Sequence, residues 1–196
     1  GYNVKKLIRT ILTSGTYQLS SEANATNQSD NKHYSKYILK RLPAEVLLDA
    51  MSQVTGVPTA FAGMPAGTRA MQLPDVRIAS QFLDVFGRPA RIICDVGERS
   101  MDPSISQALH VINGDTLNKK LSNAEGYVAL VLRLGLSDQK ILEHLTLSAF
   151  GRYPNENERT ELLAVLDRAR VKKGSAPAML EARKKALEDL FWAVLT

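Results

Sequence analysis

The strongest constraint on this chain is the succession of helix start and stop signals in its C-terminal half. Apolar residues return there at three- and four-residue intervals, and each run is bounded by a residue that opens or closes a helix. Asp102-Pro103 reads as an N-cap and first-turn pair for a helix to Asn113, with Gly114 placed to close it. Further helices are expected over 115–121 and 124–134, the second ended by Gly135. Ser137 opens a helix reaching Phe150, and Gly151 stops it. Tyr153-Pro154 makes a turn, after which Asn155 and Glu158 form a capping-box pair for a helix over 156–170. Gly174-Ser175-Ala176-Pro177 leads into a last helix whose stripe is Leu180, Ala186/Leu187, Leu190/Phe191 and Val194/Leu195. Strand-like alternation is confined to residues 91–94, which is too short to build a sheet.

The N-terminal half carries the same period with longer interruptions. Val4, Leu7, Ile8, Ile11 and Leu12 mark an amphipathic first helix that fades at Ser14-Gly15. Residues 20–32 are polar and read as a flexible loop. Pro43 suits a first helical turn, and Val46, Leu47, Ala50, Met51 and Val54 make the expected buried stripe before Gly56 and Pro58 end the helix. Arg41, Glu45 and Asp49 fall at four-residue intervals, so they are placed to pair along one face. From 57 to 78, prolines and glycines break the period, and an irregular excursion over the surface is expected. A short helix around Phe82, Leu83 and Phe86 stops at Gly87-Arg88-Pro89. The fold expected is all-α, a bundle of about eight helices with one long irregular insertion. Residues 1–196 read as a single helical domain cut from a larger chain, with 1–121 and 122–196 as its sub-lobes if it divides.

Charge narrows the partners. The chain carries 25 Lys+Arg against 20 Asp+Glu, net +5, and its basic runs at 36–41, 119–120, 168–173 and 183–185 each stand beside carboxylates. The excess reads as spread along the chain on solvated surfaces. With 6% aromatics and no interleaving of aromatic and basic residues, nucleic-acid binding is not expected. No apolar run is long enough to span a bilayer, so no membrane insertion is expected. Both ends run into helix patterns and read as cut, which would leave targeting segments outside.

Chemically, residues 82–121 hold the greatest variety. Cys94 is the only cysteine; Arg91 and Arg99 nearby could lower its pKa, whereas Ile92-Ile93 suit a small buried hydrophobe. His33, His110 and His144 share no metal-ligand spacing, and Asp95, Glu98 and Asp102 lack the loop glycine of a calcium-binding hand, so neither metal nor cofactor is expected. Ser106, His110 and Asn113 share one helix face, with Ile105, Ala108, Leu109 and Ile112 expected on the core side. That polar stripe would line a cleft, or His110 would bridge neighbouring helices. Glu98, His110 and Asp95 are the catalytic candidates if the chain is an enzyme. Arg41, Glu45, Arg88, Arg99 and Asn113 are binding or ion-pair candidates, with Glu98-Arg99 and Arg41/Glu45 read as interior pairs.

Four ordered motifs add a resemblance. VKKLIRTILTSGTYQLSS, YILKRLPAEVLLDAMSQVTG, FLDVFGRPAR followed by ERSMDPSISQALHVINGDTLNKKL, and LTLSAFGRYPNENE with LEDLFWAVL stand in the order found in the planctomycete secreted-domain family, a large domain of unknown function. The residues carrying it include Arg41, Glu45, Arg88, Glu98, Arg99, His110 and Asn113. Many relatives have a second cysteine near the position of Cys94, which this chain lacks. The resemblance implies an extracytoplasmic location. It also implies neighbouring domains on the same polypeptide, among them a cytochrome c domain or glycan-binding modules. Two functions follow as expectations: a non-catalytic structural or interaction module of a large exported protein, or an enzyme domain acting on extracellular polysaccharide with a haem-bearing partner domain.

Overall fold

The computed structural model describes residues 2–89, 103–170 and 175–196. Among the described residues the chain is all-helical, with nine α-helices, one 3-10 turn and no strand. Residues 91–94, Cys94 among them, lie outside the described residues. The chain divides into two compact units, residues 1–41 and 42–196.

The first unit contains α1 (Val4–Leu12), opened by Asn3, whose side chain accepts from the Lys6 N–H at 3.0 Å. The sequence period is realised here, yet α1 buries none of its residues. The loop after it is tied by short polar side chains. Asp30 accepts the N–H groups of Lys32, His33 and Ser35 and also the Ser35 hydroxyl. These bonds favour the ionised carboxyl and hold its pKa well below the ordinary value. Buried Asn27 accepts from Asn24 N–H at 2.7 Å and donates to the Ser35 carbonyl at 3.1 Å. Residues 24–35 are therefore a hydrogen-bonded loop, where a flexible one was expected, because Asx side chains supply the partners that a helix or sheet would give.

The second unit is built on α2 (Ala44–Thr55), which serves two cores. Leu48 and Met51 face Phe61, Leu73, Phe82 and Leu83, a cluster closed by the irregular segment and α3 (Gln81–Val85). Val54, one turn further, joins the larger cluster made by α5 (Asp115–Leu121), α6 (Tyr127–Arg133), α7 (Asp138–Phe150), α8 (Glu156–Ala169) and α9 (Ala176–Leu195). At its centre Leu145, Leu187 and Phe191 are fully enclosed. Truncating such a leucine costs about 2–5 kcal/mol, so this cluster anchors the unit. Gly56 (φ 69°) and Gly151 (φ 69°) close α2 and α7 in the left-handed region, as their positions required.

Four further expectations change. The α2 stripe is rotated: Ala44, Glu45 and Leu48 are buried, while Val46 and Ala50 face a cleft, because the irregular segment covers the other side of the helix. That segment contributes Phe61, Ala70 and Leu73 to a core and so does more than cross the surface. In α4 (Ile105–Asn113), opened by Ser104, Gln107 is the residue turned inward, while Ile105, Leu109 and Ile112 are exposed. The helix docks through polar groups, with Gln107 donating to the Val85 carbonyl at 3.1 Å. Leu180 in α9 is also exposed, since the buried residues of that helix begin at Ala186.

Candidate functional site

An opening in the second unit lies along α2. Asp49, Ser52 and Gln53 follow at three- and four-residue spacing on one helix face, and Gly56 then turns the chain back over them. The returning segment brings Thr59, Thr68 and Arg69 opposite, leaving a cleft of about 520 Å³ whose floor includes Val46 and Met71.

Asp49 fixes the far wall of that cleft. Its Oδ1 accepts from Ala70 N–H at 2.7 Å and its Oδ2 from Met71 N–H at 3.2 Å, so the carboxylate caps the 3-10 turn Ala70–Gln72 from 21 residues away. The turn's unpaired N–H groups favour a negative partner, as at any helix N-terminus.

Lys120 fixes the near wall. Its Nζ donates to the Val57 carbonyl at 2.7 Å and to Ser52 Oγ at 3.0 Å. Ser52 Oγ in turn donates to the Leu48 carbonyl at 2.8 Å and stands 3.3 Å from Thr59 Oγ1. Burial pushes the Lys120 amine down from 10.5 to about 8, and the Asp49 carboxylate opposes that shift without cancelling it. The expectation that the 119–120 run is a solvated surface therefore holds only for Lys119, which pairs with Asp115 at 2.6 Å in the open; Lys120 is buried.

The predicted site residues distribute as follows. Asp95, Glu98 and Arg99 lie outside the described residues. Arg41 is the last residue of the first unit. Glu45 is buried at the start of α2 and, with Arg88, lines a separate cavity of about 100 Å³ that also touches Leu73 and Asp75. Arg88 is almost wholly enclosed and donates to the Ile78 carbonyl at 2.9 Å and to Asp84 Oδ1 at 2.6 Å, fastening the end of α3 to the segment before it.

Asn113 is the last residue of α4. His110, three residues before it, stands edge-on to Phe82 and Phe86, with centroids 5.6 and 6.1 Å away, and those two rings stack at 4.3 Å. Its Nε2 lies 3.2 Å from Thr116 Oγ1. Gly114 lets α5 begin immediately beside it: a Cβ there would stand 2.0 Å from the His110 carbonyl oxygen. His110 thus bridges helices, the second of the two roles open to it, and does not line the α2 cleft.

The residues that shape the cleft were only partly foreseeable. Asp49 stood out by its spacing from Glu45, but its partners are backbone groups. Ser52 and Lys120 carried no local signal, because their meeting depends on the packing of α5 against α2.

Among the described residues no helix is long and apolar enough to cross a membrane, and no cluster of His, Cys, Asp or Glu has metal-binding geometry. No curated protein and no solved structure matches the chain. Residues 1–166 match the family described as PSD1, protein of unknown function (DUF1553), and the chain belongs to that family.

Proposed function

We propose that the chain is a non-catalytic interaction module of a larger, exported multidomain protein, holding a partner at the α2 cleft without transforming it. One observation carries this reading: the Asp49 carboxylate and, behind Ser52, the Lys120 ammonium are engaged in holding the cleft together. Both Asp49 oxygens accept backbone N–H groups, and Lys120 is bound by Ser52 and the Val57 carbonyl. The Ser52 hydroxyl proton points to Leu48. A nucleophilic hydroxyl needs a base that takes its proton, and here the Ser52 proton goes to the Leu48 carbonyl while Lys120 donates to Ser52 Oγ, so the amine is not set as that base. Export and neighbouring domains belong to the same proposal and rest on the family resemblance.

The competing reading, an enzyme on extracellular polysaccharide with a haem-bearing partner domain, would route protons through Asp95, Glu98 and His110. The test is a screen of the full-length protein for polysaccharide cleavage, with Glu98→Gln and His110→Ala beside the wild type. We expect no turnover above background. Turnover that either substitution abolishes, with the helical circular dichroism intact, would sink the non-catalytic reading.

A further inference from the structure

The first unit carries nearly all its apolar side chains on the outside. Val4, Leu7, Ile8, Ile11 and Leu12 form one face of α1, and each is between 45% and 63% exposed. The other face holds Lys5, Lys6 and Arg9, with no acidic residue anywhere in α1. Ile11 continues the apolar face into a groove of about 330 Å³ shared with Tyr17, Tyr34, Tyr37, Ile38 and Lys40. The three tyrosines are exposed as well, as is Tyr2 before the helix.

Charge follows the same division. Residues 1–41 hold seven of the 25 Lys+Arg but only Glu22 and Asp30 of the 20 Asp+Glu, so they carry the whole net +5 and the second unit is neutral. The excess that looked spread along the chain is concentrated here.

We propose that residues 2–41 form a basic amphipathic surface that docks on an anionic lipid bilayer, with α1 lying in the plane of the interface. The aliphatic row suits the acyl boundary, the cationic row the phosphate layer, and tyrosine rings with their hydroxyl tips the zone between. A second copy of the chain would bring together two units that each carry net +5. A nucleic acid would answer the charge but leave the Leu/Ile/Val row in water. An acidic protein groove would answer both the charge and the apolar row; the exposed tyrosines beside an α1 that carries no acidic residue favour the bilayer, and the vesicle experiment separates the two.

The experiment is sedimentation of the intact protein with vesicles of phosphatidylcholine alone or mixed equally with phosphatidylglycerol. The expected result is partitioning onto the anionic vesicles only, weakened by high salt. The triple variant Lys5→Glu/Lys6→Glu/Arg9→Glu is expected to lower it by at least ~30-fold, since each basic residue near an anionic surface contributes several-fold. Ile8→Asp/Ile11→Asp is expected to abolish it. These side chains are exposed, so circular dichroism of both variants should match the wild type. Absence of partitioning onto anionic vesicles would overturn the proposal and leave an acidic protein as the occupant. Partitioning unchanged by either variant, or a dimer that Ile8→Asp/Ile11→Asp dissolves, would overturn it as well.

Discussion

Lys120 and Val57 stand 63 residues apart in the chain and meet through a 2.7 Å hydrogen bond from the buried ammonium to the backbone carbonyl. With Ser52 as its second acceptor, Lys120 ties α5 to the end of α2 and to the turn that begins the irregular segment.

That tie should be visible as a pH dependence. Below pH 8 the folded and unfolded chains both hold the Lys120 proton. Between about 8 and 10.5 the unfolded chain holds it while the folded chain releases it, so stability rises with pH across that window. The expected rise is roughly 1–3 kcal/mol. Lys120→Met should remove it, and urea unfolding at several pH values compares the two profiles. Parallel profiles would mean that the amine is not desolvated.

Asp49→Ala should loosen residues 57–72 more than it disturbs the helices. Two backbone N–H groups lose their acceptor, at a cost of about 1–3 kcal/mol. Limited proteolysis should then cut within 57–72 well before any helix. Cleavage rates equal to those of the wild type would show that Phe61 and Leu73 hold the segment without the carboxylate.

Gly114→Ala should cost more than an ordinary surface substitution although Gly114 has an unremarkable φ of −74°. The new methyl would stand 2.0 Å from the His110 carbonyl oxygen, a backbone atom that moves only if the α4–α5 junction opens. A loss of about 2 kcal/mol or more is expected from calorimetry, with shifted NMR resonances for the His110 ring. An unchanged melting temperature would contradict the junction described here.

Asp138, at the start of α7, accepts from Arg183 at 2.8 Å and Arg170 at 2.5 Å, tying α7 to α9 and to the end of α8. Arg183 is 36% exposed and also donates to the Leu136 carbonyl, whereas Arg170 is 55% exposed. Water screens the second pair more. Double-mutant cycles should therefore give a coupling near ~1 kcal/mol for Asp138/Arg183 and a smaller one for Asp138/Arg170, despite its shorter distance. The reverse order would mean that exposure does not control these pairs.

Local chemistry determined much of what the sequence alone discloses here. Asn155 and Glu158 cap α8 because both halves of the box lie within one turn, and Arg152 then pins Glu158 through both oxygens at 2.7 Å, holding its carboxyl down at about 2. Gly56 and Gly151 end their helices for equally local reasons, and the all-α class follows from the period of the apolar residues. What a given face would meet was decided only by tertiary packing. The apolar side of α4 stayed outside because Gln107 and His110 found partners on α3 and α5. The apolar side of α1 stayed outside in a unit that carries the whole net charge of +5. Lys120, indistinguishable in sequence from exposed Lys119, became the buried tie of the α2 cleft. Periodicity marks a face within a few residues of chain, whereas burial depends on elements that sequence distance hides. The hydrogen bonds of Asp49 and Lys120 that shape the cleft span 21 to 68 positions, beyond the reach of any local pattern.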